Sequence, residues 1–469
     1  MLFQPQNMTL TGGSYTLPKD AAATAHPCLD KDVLKEFWHN FSLRSSALTV
    51  TAADTLTFSV GHAPVPTLDG CAYAINVTQE GVALCGESEQ ALIHGFMTLL
   101  SLFRAVDTGD GTAAVLDRGT LRERALIGCR MVHCCIFPET ELWELQRFVR
   151  LCGVLKYTHI VLEFWGTLQY DCLRELAWSH GFTKAQVRPI VEEAKTLGLE
   201  VIPMFNHWGH ASAGRVMHGK HVVLDQDPTL QPYFSEDGWC WNIHSPKVRG
   251  LLRQVRTELI ELCGEGRYFH IGCDEAYNFE FTPKNTAALV DFINEISDEL
   301  SATGRRAIMW GDMLLYPHAH YNKNNRYTCN APTPEIEAYF LDKLSRRIVM
   351  ADWQYDTVEF PVETVSVFKD AGFDCLLCPW DKGGIPQVSA TLHTVKDRAL
   401  LGYMHTTWHT LSSGTPYVTL MGAGGFADVS GLPKIAAYPH TAALLRRVMP
   451  ACGDYERAGW SHRQIDFRW

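Results

Sequence analysis

The 469-residue sequence predicts an α/β protein, a (β/α)8 barrel of the TIM type preceded by a small α+β domain. Two observations carry this. From about residue 119, short apolar segments alternate with amphipathic helical ones, the rhythm of parallel βαβ units. Eight such segments follow one another, the number that closes this barrel. Before them, short β-like runs surround one apolar helical stretch. The rhythm changes at "LDRGTLRER", so the expected domains are 1–118 and 119–469.

In the first domain, "TLTFSV" and "YAINVTQEGVALCG" read as strands and "SEQALIHGFMTLLSLF" as a helix. The barrel strands are expected at "ALIGCRMVHC", "THIVLEFW", "LEVIPMF", "YFHIGCDE", "RAIMWGD", "RIVMADW", "FDCLLCPW" and "LLGYMHTTW". The best-punctuated helix has Ser245 as N-cap, Pro246 in its first turn and Gly264 at its stop. The stretch from Asn206 to about Ser245 exceeds an ordinary βα loop and should fold over the barrel mouth. Cys375 and Cys378 form a lone C-x-x-C. With no second pair and no His at ligand spacing, it reads as strand core rather than a zinc site.

Composition narrows the function. A chain that is 46% hydrophobic and 20% charged can bury a sizeable core. The net charge of -11 and the absence of a basic stripe argue against nucleic acid as a partner. No apolar run reaches membrane-spanning length, and the first residues lack the pattern of a secretory leader, so a soluble, cytoplasmic protein is expected. The 15 cysteines read as reduced thiols, which makes the sequons at Asn7, Asn40 and Asn76 coincidental. No metal or organic cofactor is implied. The sequence is compatible with a homodimer, but no surface pattern establishes one.

Barrel active sites lie at the C-terminal ends of the strands. Those ends carry Glu163 with Trp165, Asn206 to His210, Asp274 with Glu275, Trp310 with Asp312, Trp353 with Tyr355, Trp380 with Asp381, and Trp408. Adjacent strand residues point to opposite faces, so Asp274 and Glu275 do not suit an acid and a nucleophile about 5 Å apart across a sugar. The pair is either structural or serves substrate-assisted hydrolysis, in which a 2-acetamido oxygen of the substrate attacks the anomeric carbon. Glu275 would then act as acid and base, with a pKa near neutral, and Asp274 would orient the acetamido N–H.

With "HIGCDE", "GLEVIPMFNHWGHAS" and "VFKDAGFDCLLCPWDKGG" in view, the sequence resembles the family 20 glycoside hydrolases, whose H-x-G-x-D-E motif matches His270 to Glu275. The C-D-E-A-Y form is closest to the hexosaminidase D branch. The resemblance implies an exo-acting retaining β-N-acetylhexosaminidase that acts on glycans or glycosides ending in N-acetylhexosamine. It implies that Arg130 grips the sugar 3- and 4-hydroxyls, with Arg124 as the rival. Glu163 would bind sugar hydroxyls or a catalytic partner, and His210 would join the Asp274 network. Trp310, Trp353 and Trp408 would wall the pocket. Trp380 and Asp381 stand where many members have P-W followed by a tyrosine that holds the acetamido carbonyl, and Tyr355 is the substitute for that tyrosine. The alternatives are a non-catalytic carbohydrate-binding barrel, or an enzyme specialised for a disaccharide or a sulfated N-acetylhexosamine.

Overall fold

The computed structural model describes residues 7–450, apart from residues 110, 214–218, 409, 410, 412, 413 and 433. The first domain is a mostly antiparallel sheet of β1 (Met8–Thr16), β2 (Asp20–Ala25), β3 (Ala47–Ala52), β4 (Thr57–Gly61), β5 (Tyr73–Val77), β6 (Gly81–Gly86), β7 (Arg104–Asp107) and β8 (Thr112–Glu123). Their order is β1-β8-β5-β6-β4-β2-β3, with β7 also on β8. Alternation explains how the sheet is covered. In β2 every second residue is buried, and the sheet is covered by α1 (Asp32–Phe41), which packs on β3, and by α2 (Glu89–Ser101), which packs on β5 and β6. Trp38 anchors that layer, its ring 5.0 Å from Phe103 and 5.9 Å from Phe58. The domain ends later than the sequence rhythm indicates. β8 crosses residue 118 and pairs with β5 from Gly119 to Glu123, where every second residue is buried.

The second domain is a closed barrel of eight parallel strands: β9 (Cys129–Ile136), β10 (His159–Phe164), β11 (Glu200–Met204), β12 (Tyr268–His270), β13 (Arg306–Trp310), β14 (Val349–Trp353), β15 (Asp374–Cys378) and β16 (Gly402–His405). Seven of the eight expected segments contain their strand whole, and β9 runs two residues beyond the first, "ALIGCRMVHC". Closure comes from β16 on β9, with Gly402 opposite Cys129 and His405 opposite Val132. The interior is packed with Met131, Val161, Ile202, Ile308, Val349 and Met404 among others. This is the filled core of such barrels rather than a pore.

The connecting helices are α3 (Leu142–Val154), α4 (Lys184–Thr196), a short α5 (Val223–Gln226), α6 (Pro246–Cys263), α7 (Pro283–Ala302), α8 (Pro334–Lys343), α9 (Thr364–Asp370), α10 (Gly384–Asp397), α11 (Thr415–Gly424) and α12 (Ala437–Arg447). The Ser245 hydroxyl caps α6 by accepting from the Val248 N–H, and Gly264 ends it at φ +72°. Cys375 and Cys378 lie buried in β15 as free thiols. The domains are joined by buried Arg150 of α3, which reaches Glu36 of α1 at 2.9 Å and Glu193 of α4 at 2.6 Å. Among the described residues no helix is long and apolar enough to cross a membrane.

Candidate active site

β12 stops at His270, four residues before the adjacent acids. The chain then turns through left-handed backbone at Gly272 (φ +67°), Cys273 (φ +77°) and Glu275 (φ +50°). Side chains with a Cβ occupy that region at a cost of about 1–3 kcal/mol each, and such strain concentrates at functional sites. The turn removes the objection that neighbouring strand residues face apart. Asp274 and Glu275 are not strand residues, and their carboxyls converge on one imidazole. His210 Nε2, itself on a residue at φ +57°, lies 3.3 Å from Asp274 Oδ2 and 3.0 Å from Glu275 Oε2. Gly209 permits this approach, since a Cβ there would strike the Asp274 carbonyl oxygen.

Asp274 is held from three sides. Asn206 Nδ2 donates to Oδ1 at 2.9 Å, while Oδ2 faces His210 and, at 3.2 Å, Lys220 Nζ. Lys220 also lies 3.0 Å from Glu163 Oε1, and His133 Nε2 is 2.9 Å from Glu163 Oε2. The ammonium sits within 5.0 Å of the Trp408 ring centre and 5.4 Å of Trp165. Burial opposes the charge on Glu163, but Lys220 and His133 outweigh it and hold the carboxyl well below its usual range. Burial likewise works against the Lys220 proton, and Asp274 and Glu163 hold it on. A chain of polar contacts thus runs from inside the barrel to its mouth, through Glu163, Lys220, Asp274, His210 and Glu275.

Glu275 faces outward. Its backbone N–H donates to Asp312 Oδ2 at 3.0 Å, its carbonyl accepts from Trp239 Nε1 at 2.7 Å, and the Tyr277 hydroxyl donates to Oε1 at 2.6 Å. Burial raises the Glu275 pKa, but hydrogen bonds with His210 and Tyr277 and the positive charge of Lys220 prevail and leave it below the ordinary value. This differs from the expectation of a near-neutral acid: these partners favour the carboxylate form of Glu275. The near-neutral group is buried Asp312, pushed up to about 7 by burial and by Asp274. Its Oδ1 accepts from Trp353 Nε1 at 3.2 Å.

The aromatic residues divide by depth. Trp353 and Trp408 are half-buried at the mouth, whereas Trp310 is fully buried in the interior layer, 4.5 Å from the His270 ring and 5.7 Å from Trp408. The Tyr355 hydroxyl accepts from Trp408 Nε1 at 2.6 Å and lies 3.1 Å from Thr406 Oγ1. Its ring stacks 5.0 Å from Trp353 and stands edge-on to Trp380 at 5.4 Å. Trp380 and Asp381 are half-buried and lead from β15 into α10.

Arg130 does not join this group. It is the second residue of β9, at the opposite end of the barrel from the site. Its guanidinium donates to the carbonyls of Ile127, Gly128 and Lys156 and lies over the Phe426 ring at 4.7 Å. Arg124 is surface-exposed and paired with Glu87. Neither arginine can grip a sugar at the mouth. Sequence reasoning missed Lys220 and Tyr277 and gave Asp312 no role. For Lys220 the only signal was the excess length of the 206–245 loop that delivers it.

His133, Cys135 and Glu163 bring donor atoms within 4.8 Å of one another. That carboxylate is already engaged by the Lys220 ammonium and by His133, so a metal would compete with a cation in place. The convergent features are therefore an outward carboxyl able to exchange a proton, a buried carboxylate able to accept an N–H, and a phenol beside an indole.

Residues 167–354 match the model for the catalytic domain of glycosyl hydrolase family 20. Among curated proteins, the chain is similar to a lacto-N-biosidase of Bifidobacterium bifidum, 21% identical over 66% of this chain and 28% of that protein. It is also similar to hexosaminidase D of Bos taurus, 27% identical over 29% of this chain and 36% of that one. The matched stretches thus span only about a third of these relatives. Among solved structures, a family 20 β-N-acetylhexosaminidase from Streptomyces coelicolor superposes with a TM-score of 0.65 at 16% identity, covering 95% of each chain. At that identity the likeness speaks for the fold.

Proposed function

We propose, from the match of residues 167–354 to the catalytic domain of glycosyl hydrolase family 20, that the protein is an exo-acting, retaining β-N-acetylhexosaminidase working by substrate assistance. The observation that carries the reading is the asymmetry of the two adjacent acids around His210. Asp274 is 5% exposed and gripped by Asn206 and Lys220, while Glu275 points outward. A carboxylate pinned by an ammonium is a poor attacking group and a good fixed acceptor for an acetamido N–H. The acetamido oxygen then attacks the anomeric carbon as Glu275 protonates the leaving oxygen. The resulting oxazolinium opens when Glu275 takes a proton from water. In this reading the Tyr355 hydroxyl, beside Trp353 and Trp408, is the partner for the acetamido carbonyl.

The test is a panel of p-nitrophenyl β-glycosides of GlcNAc, GalNAc, glucose and galactose. Turnover confined to the two acetamido sugars, with retention, is expected, together with inhibition by a thiazoline mimic of the oxazolinium. Glu275→Gln should lower kcat/KM by about 10²–10⁴-fold. Sugar binding without turnover would instead favour a carbohydrate-binding barrel. The lacto-N-biosidase relative makes disaccharide release the second reading, which an oligosaccharide end-capped with such a unit would reveal. The fourteen described cysteines are all free, which supports a reducing, cytoplasmic setting.

A further inference from the structure

Glu275 presents two oxygens in different surroundings. Oε2 faces His210, which is buried, and Oε1 accepts from the hydroxyl of Tyr277, which is 44% exposed. A leaving-group oxygen has to come within about 2.6–3.2 Å of the acid. The outward oxygen is the one it can reach, and the phenol already occupies it. We propose that Tyr277 is the residue of the leaving-group side: its hydroxyl caps Glu275 Oε1, and an arriving substrate displaces it, so that the ring becomes the surface on which the second sugar lies.

This rests on the reading of Glu275 as the acid, and it resolves a conflict in that reading. An acid held below its ordinary pKa by donated hydrogen bonds is in the wrong protonation state for the first step. His210 and Lys220 are buried and fixed by their ties to Asp274, and Asp312 engages the backbone N–H of Glu275 rather than its carboxyl. Of the described groups facing Glu275, Tyr277 alone is exposed enough to leave. Its departure removes a donor, lets the carboxyl take up a proton and opens Oε1 to the glycosidic oxygen. An aromatic face beside that oxygen suits the apolar face of a pyranose.

The two limbs of a pH profile separate this from a structural role, because kcat/KM reports the free enzyme and kcat the bound complex. Tyr277→Phe should move the alkaline limb of kcat/KM upward by about one pH unit, the size expected when a carboxylate loses a hydrogen-bond donor. The limb of kcat should stay in place, since the phenol has already left in the complex. Tyr277→Ala should lose about tenfold more kcat/KM on N,N′-diacetylchitobiose than on N-acetylglucosaminyl fluoride, whose leaving atom cannot stack. Limbs that move together or not at all, or equal losses on both substrates, would overturn the proposal. A wild-type protein inactive on every acetamido sugar would instead overturn the assignment of Glu275 and this inference with it.

Discussion

At Lys220 two buried carboxylates, Glu163 and Asp274, share one ammonium. Removing one side of such a cluster strands charge in a low-dielectric interior, at a cost of about 3–5 kcal/mol. Lys220→Met should lower stability by that order and abolish turnover. Because the Glu163 carboxyl lies below its ordinary range in the folded state, its stabilising contribution is complete above the unfolded pKa of about 4.3 and fades as pH falls toward the folded value. The deficit of the variant, followed by urea unfolding from neutral pH downward, should therefore be largest near neutrality and shrink on acidification. A constant deficit would show that packing rather than charge holds the residue. Glu163, Asp274, Glu275, Tyr355 and Trp408 were legible because each stands at or a few residues after a strand end, and His210 because it closes the "GLEVIPMFNHWGH" stretch. Lys220 was not, because a loop of irregular backbone has no period from which its side-chain direction can be read.

Strand onset decided what could be read at the level of elements. "ALIGCRMVHC" is apolar from its first residue, but pairing begins only at Cys129, so Arg130 belongs to the entry end of β9 and not to the mouth. Its hydrogen bonds tie the approach to β9 to the carbonyl of Lys156, which precedes β10. Arg130→Met should lower Tm, at a cost of about 1–3 kcal/mol for the carbonyls left without donors, and leave KM for an aryl N-acetylglucosaminide unchanged. A large rise in KM with Tm intact would restore it to the sugar site. The same sequence logic that located β12 could not show that it stops at His270. The left-handed turn that follows contains two residues with full side chains, Cys273 and Glu275, where local preference alone would place glycine.

For the molecule as a whole, the change of rhythm pointed to two domains, but their joint depends on charges far apart in sequence. Arg150 is 4% exposed and links α1 of the first domain to α4 of the second. Arg150→Ala should uncouple them, splitting one calorimetric unfolding transition into two, while a single lowered transition would mean that the packing of α2 on α3 suffices. No periodicity could have announced this tie, because it joins positions 114 residues apart. The pairing of β16 with β9 reaches further still. During synthesis at about 5–20 residues per second, β9 leaves the ribosome many seconds before its partner. Until then the growing chain is an open sheet with unpaired edges, and Trp408 has not arrived to meet Lys220 and Tyr355. The nascent protein must therefore pass most of its elongation as an unclosed and inactive intermediate, the stage at which a chaperone would have the most to bind.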